Sequence, residues 1–268
     1  MKAHYIMIGG FLGAGKSTSI LKFAQKLDQE GLKVGLITND QGERLVDTKV
    51  VQANGFPVEE IAGGCFCCRF NSLRDAAERL TAGTRPDVFL AEPVGSCTDL
   101  VATVSYPLRR LYGEQYQVAP LSVLVDPVRA LRILGEEDGS KFTEKVIYIY
   151  RKQLEEADFI VINKSDSLEL ERIDLLRSSL EREFPGKSVF VVSAREGLGL
   201  NDWFSAVREE EASSGPAMSV NYETYGEGEA LLGWLNAALI LKAREEVDGN
   251  QLLLDLAAGV QRRLVSDA

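Results

Sequence analysis

Residues 9–18 read GGFLGAGKST and follow a short apolar run, HYIMI at 4–8, in a chain of 268 residues. Within them Gly10-x4-Gly15-Lys16-Ser17 has the phosphate-loop spacing, placed between what reads as a buried strand and the opening of a helix. The chemistry asks for these residue types. Glycines let backbone N–H groups turn inward around phosphate oxygens, and the N-terminus of the following helix adds positive potential. Lys16 is placed to reach the β- and γ-phosphates, and the Ser17 hydroxyl to ligate Mg2+. Gly10, Gly13, Ala14, Gly15, Lys16, Ser17 and Thr18 are therefore the expected phosphate-contacting residues.

Outward from this loop, further apolar runs occur at 33–38 (KVGLIT), 87–91 (DVFLA), 121–125 (LSVLV), 158–162 (DFIVI) and 188–192 (SVFVV). They are too continuous for strands with one wet face and read as buried parallel strands. Helix-like segments at 16–30, 69–82, 141–156 and 169–183 lie between most of them. That alternation predicts an α/β fold, a doubly wound and mainly parallel sheet of the P-loop NTPase kind, with ligands at the carboxyl ends of the strands.

The chemically interesting residues fall at those ends. In INKSD, Asp166 is placed to accept hydrogen bonds from N1–H and the exocyclic amine of guanine, whereas adenine presents the opposite polarity. Asn163 is expected at another polar edge of the base, Lys164 along its face, and Ser193 and Ala194 beside it, which makes GTP or GDP the expected nucleotide. Glu92, in LAEPVG, is placed to hold Mg2+ through water or to orient an attacking water, and the Gly95 N–H to sense the γ-phosphate. Lys16 and Glu92 are the expected catalytic residues. Asp40, after the second strand, is a candidate switch residue near the metal, and Asp126, after the fourth, reads as a cap.

With 30 Lys and Arg against 40 Asp and Glu, the net charge of −10 argues against nucleic acid or an anionic membrane as partner. No stretch approaches the ~18 consecutive apolar residues of a membrane span, and the N-terminal apolar run reads as a strand rather than a leader. Three of four cysteines, Cys65, Cys67 and Cys68, sit in GGCFCC at 63–68, too close together to bridge one another. A reducing, cytoplasmic setting is expected. Three thiolates suit Zn2+, Co2+, Ni2+ or Cu+. Cys97, two residues beyond Gly95, is either a fourth ligand moved by the nucleotide or a small buried side chain.

Composition changes at 209–216, EEEASSGP, which suggests a nucleotide-binding domain over 1–210 and a linker with a short helical segment over 211–268. Helices are expected at 228–244 and 249–265. Leu231, Trp234, Leu235 and Leu239 would pack on the core by default, or form a dimer or client face.

GGFLGAGKST, GGCFCC, EPVG and NKSD, in this order and at these separations, resemble the CobW-type metallochaperone GTPases, the CobW/HypB/UreG-type P-loop family, over roughly residues 1–210. The resemblance implies a GTPase in which metal binding at Cys65, Cys67 and Cys68 is coupled to nucleotide state, with delivery of Zn, Co or Ni to a client metalloprotein or cofactor enzyme. It also implies Glu92 as the Walker-type acid and Asp166 as the guanine reader. A second reading is a G-protein chaperone gating assembly of a corrinoid-dependent or other cofactor enzyme, with regulatory or structural cysteines; a third is a plain switch GTPase. Departures from the family are a short tail, a single histidine (His4), and Asp40 where the second-strand motif usually carries glutamate. They favour a narrow, client-specific role. No arginine is clearly placed to act in cis; Arg69, beside Cys68, is the nearest candidate.

Overall fold

A computed structural model describes residues 2–40, 54–62, 66, 69–139, 142–212, 218–232, 240–243 and 245–266. In chain order it contains β1 (Ala3–Gly10), α1 (Lys16–Gln29), β2 (Val34–Asp40), β3 (Val58–Ala62), α2 (Phe70–Gly83) and β4 (Val88–Glu92). A π-helical turn (Val101–Ser105) runs into α3 (Tyr106–Tyr112), followed by β5 (Tyr116–Val118), β6 (Ser122–Val125), α4 (Pro127–Leu134) and α5 (Glu144–Glu156). Then come β7 (Phe159–Ile162), α6 (Leu170–Glu183), β8 (Ser188–Val191), α7 (Leu200–Glu209) and α8 (Tyr222–Ala230). These belong to a compact unit ending at Gly233; a second unit, Trp234–Ala268, contains α9 (Gly249–Ser266).

The sheet order is β3-β2-β4-β1-β6-β7-β8, with β5 beside the first half of β1, and every ladder is parallel. β1 shows why the strands read as unbroken apolar runs. Its side chains alternate between faces, and Tyr5 and Met7 enter one apolar cluster while Ile6 and Ile8 enter the other. Both faces are therefore covered, as expected for a doubly wound sheet. One layer buries Phe89, Ile160 and Leu176 with them; the opposite layer buries Phe23, Leu90 and Trp203, whose indole N–H donates to Ser122 Oγ at 2.9 Å.

All six expected strands are present, and two more join them. β3, VEEIA, escaped the apolar pattern because it is an edge strand: Glu59 faces outward and pairs with Arg79 of α2 at 2.6 Å.

The tail departs from expectation. The compact unit runs past residue 210, and the helix expected at 228–244 lies instead at Tyr222–Ala230, with 240–243 non-helical. Asn221 starts α8, its side chain accepting from Glu223 N and Thr224 N at 3.1 Å each. Gly228 reads as a helix breaker but is needed for close approach: a Cβ there would lie 2.6 Å from Lys145 O of α5. Leu231 is exposed rather than packed in the core, while Leu232 meets the core. Trp234, Leu235 and Leu239 lie outside the described residues. The expected helix at 249–265 corresponds to α9. Among the described residues no helix is long and apolar enough to cross a membrane.

Candidate functional site

The order of the strands reverses at β1, so its carboxyl end opens a crevice between the loops after β4, β7 and β8. GGFLGAGKST occupies that end. Gly10, Gly13 and Gly15 take φ of +131°, +71° and +92°, a region closed to most side chains, and the loop turns without strain into α1. α1 begins at Gly15 with no side-chain cap, which leaves its leading N–H groups directed toward a ligand. Lys16 is buried and its Nζ donates to Gly10 O at 3.0 Å across the loop. Thr18 is exposed at the third position of the helix.

Ser17 Oγ donates to Glu92 Oε1 at 2.8 Å, although 75 residues separate them. The pairing follows from topology, because β4 lies next to β1 and ends level with the loop. Two oxygen donors, one a buried carboxylate, make a donor set suited to a hard cation, so the residues fit Mg2+.

The NKSD segment is tied to the same loop. Lys164 takes φ +58°, and its ammonium reaches Gly13 O at 2.6 Å and Asp126 Oδ2 at 2.9 Å. Asp126 also caps α4 by accepting from Arg129 N at 3.0 Å, as expected of it. Burial pushes the Asp126 carboxyl up, but the Lys164 ammonium and the Arg129 N–H outweigh it, and the group rests below its ordinary value.

Asn163 was expected against the base. Its amide donates to Ala14 O at 2.9 Å and accepts from Ala194 N at 3.0 Å, so it staples the phosphate loop to the loop after β8. Ser193 Oγ donates to Asp166 Oδ1 at 2.5 Å, and the Asp166 side chain is exposed at the crevice. Ser193 and Ala194 are buried beside it.

On the other side of β1, Asn39 donates to Ile61 O and accepts from Phe66 N, at 2.9 and 3.0 Å. Phe66 is the central residue of GGCFCC and is fully buried. The cysteine loop is thus anchored at its middle to the ends of β2 and β3. Cys65, Cys67 and Cys68 lie outside the described residues, as does the side chain of Asp40, which ends β2 opposite Ala62. Among the described residues no group of three or more His, Cys, Asp or Glu is arranged to hold a metal. Cys97 is buried in the same apolar cluster as Phe66. Gly95 packs on the phosphate loop, where a Cβ would stand 2.6 Å from Leu12 Cδ2 and 3.0 Å from Leu12 N.

Sequence reasoning missed Arg129. Arg69 is exposed, whereas the Arg129 guanidinium stacks 5.6 Å from the Phe11 ring centre and donates to Leu12 O. Asp126-Pro127 opening a helix is the available signal, since a residue three places on points back toward the strand end.

The sequence profile of the CobW/HypB/UreG nucleotide-binding domain matches residues 4–190. The chain is 28% identical over 212 residues to the zinc chaperone CobW of a Sinorhizobium species, covering 71% of this chain and 58% of that protein. It is 32% identical over 164 residues to the zinc chaperone YeiR of Escherichia coli K12, covering 60% and 46%. The chain thus spans about half the length of the curated relatives it matches. Among solved structures, HypB from Helicobacter pylori in complex with nickel aligns with a TM-score of 0.56 at 17% identity, over 80% of this chain and 91% of that one. Zn(II)-bound YjiA GTPase from Escherichia coli aligns at 0.51 and 21% identity, over 85% and 69%. These alignments establish the α/β P-loop fold.

Proposed function

The chain belongs to the CobW/HypB/UreG family, and we propose that it is a GTPase that couples its nucleotide state to metal binding and metal delivery. The metal would be held by Cys65, Cys67 and Cys68 as cargo, and passed to a client metalloprotein or cofactor enzyme. Zinc is the first candidate, since the relatives it resembles include the zinc chaperones CobW and YeiR, with Co2+ and Ni2+ matching the same donors.

The observation that carries the nucleotide half is the wiring of the NKSD loop to the phosphate loop through Lys164–Gly13 and Asn163–Ala14. Base reading and phosphate binding then share one rigid unit. Asp166, oriented by Ser193, accepts from guanine; Lys16 turns from Gly10 O to the β- and γ-phosphates; Ser17 and Glu92 would hold Mg2+, which neutralises charge on the phosphates when bound. Glu92 would also orient the attacking water. Water oxygen bonds to the γ-phosphorus, the bond to the bridging oxygen breaks, and GDP and phosphate leave. The observation supporting the metal half is the Asn39–Phe66 anchor, which ties the cysteine loop to β2, one strand from Glu92.

The test is titration of metal-free, reduced protein with Co2+, following the thiolate-to-cobalt band, with GDP–Mg2+ and with a non-hydrolysable GTP analogue. A tenfold or larger difference in affinity, a coupling of at least ~1.4 kcal/mol, that vanishes in a Cys65/Cys67/Cys68→Ser triple variant is expected. Equal binding in both states would remove the metal half of the proposal and leave a nucleotide switch acting on a client.

A further inference from the structure

The loop that follows β4, Gly95 to Asp99, is buried throughout, and it is gripped from outside by two helices. From α5, Gln153 Nε2 donates to both Gly95 O and Cys97 O, at 3.0 and 2.9 Å. From α8, Glu229 Oε1 accepts from Ser96 Oγ at 2.7 Å, and the Tyr222 hydroxyl donates to Asp99 Oδ2. Asp99 itself takes φ +63°, a strained conformation for a non-glycine residue that persists only where its surroundings enforce it. The inner side of the same loop rests on the phosphate loop through Gly95 and Leu12. α8 is bound in turn to α5 by the Lys145–Glu227 ion pair at 2.8 Å and by Asn221 N donating to Tyr148 Oη at 2.7 Å.

We infer that α8 is part of the nucleotide switch: it is an outer clamp on the loop after β4, docked when the γ-phosphate is absent and loosened when GTP binds. This rests on the guanine-nucleotide reading above. A γ-phosphate held by Lys16 and the Ser17–Glu92 cation site would engage the phosphate loop on which Gly95 packs so closely that a Cβ there would stand 2.6 Å from Leu12 Cδ2. Its arrival would shift Gly95, and Ser96 and Asp99, one and four residues on, are the partners of Glu229 and Tyr222. Phosphate and helix therefore compete for one short, fully buried segment, and buried packing of this kind has discrete arrangements rather than a continuum. Linkage makes the competition reciprocal: whatever weakens the α8 clamp strengthens GTP binding by the same factor, and leaves GDP binding alone. α8 thereby transmits nucleotide state to the chain that follows Ala230.

The experiment is amide hydrogen exchange on the full chain with GDP–Mg2+ and with a non-hydrolysable GTP analogue and Mg2+, together with binding of both nucleotides to a Tyr222→Phe/Glu229→Ala variant. Exchange across 222–230 is expected to be about tenfold or more faster with the analogue, and the variant to bind the analogue at least about fivefold tighter with unchanged GDP affinity. Protection of residues 10–18 by both nucleotides, with 222–230 exchanging equally in each, overturns the clamp alone. Absence of protection at 10–18 with either nucleotide overturns the guanine-nucleotide reading, and the clamp with it.

Discussion

Glu156, the last residue of α5, should make the stability of this protein fall as pH rises through neutrality. Its carboxyl is almost fully buried. Oε2 accepts from Val101 N at 3.3 Å, and Oε1 has no hydrogen-bond partner among the described residues. Burial pushes the group up from 4.5 to about 8; the Val101 and Leu100 N–H groups and the Thr98 hydroxyl oppose the rise, and the Asp99 carboxylate adds to it. Between pH 4.5 and 8 the folded protein keeps a proton that the unfolded chain has released. Stability then declines with rising pH across that window and is flat on either side of it. Each pH unit corresponds to one tenfold step in proton binding, which sets a ceiling of about 5 kcal/mol; relaxation and water entry reduce this to roughly 2–3 kcal/mol. Glu156→Gln keeps an oxygen for Val101 N and cannot ionise. Urea unfolding followed by tryptophan fluorescence should therefore show the decline in wild type and not in the variant, with equal stability near pH 5 and the variant ahead by about 2 kcal/mol at pH 8.5. Asp126, held below its ordinary value, contributes stability lost only as pH falls below the window, and is common to both proteins. Parallel pH profiles for wild type and variant would refute the reasoning.

Asp166→Asn replaces the acceptor of two guanine hydrogen bonds by an amide that offers a donor to a carbonyl at C2; GDP affinity should drop about 100-fold or more while xanthosine diphosphate gains, as read by calorimetric titration. Asn163→Ala leaves Ala14 O and Ala194 N without their buried partner and should cost about 2–4 kcal/mol of stability in urea unfolding, with weakened nucleotide binding. Ser17→Ala should abolish the Mg2+ dependence of nucleotide affinity while leaving metal-free binding close to wild type, measured by titration with and without EDTA. Cys97→Ser should reduce the difference in Co2+ affinity between GDP and GTP-analogue states; an undiminished difference would assign Cys97 to core packing, where its burial already places it.

The legible part of this chain was the part in which a residue's own type states its surroundings. β1 announced itself because both its faces are buried, and GGFLGAGKST because its backbone at Gly10, Gly13 and Gly15 is closed to most side chains. β3 was hidden because an edge strand spends Glu59 on solvent and on Arg79. α8 was displaced because Gly228 reads as a breaker until Lys145 O is seen against it. Arg129 carries only the indirect sign of Asp126-Pro127 opening its helix, and nothing local names Leu12 as its partner.

What organises the site is a set of long-range bonds from neutral amides. Asn39 joins Ile61 O to Phe66 N and so holds the cysteine loop; Gln153 holds Gly95 O and Cys97 O of the loop after β4; Asn163 joins Ala14 O to Ala194 N between phosphate and base. All three are buried. A side-chain amide offers two donors and an acceptor without charge, so it can strap irregular backbone in an interior where a carboxylate would lack the donor and bear the desolvation cost. The three straps hold three loops around one crevice. Substitutions at Asn39, Gln153 or Asn163 should therefore loosen the joins between loops. Two of the three, Asn39 and Gln153, lie outside the phosphate-loop and NKSD motifs, which is why those motifs pointed to a ligand and were silent on what joins the loops around it.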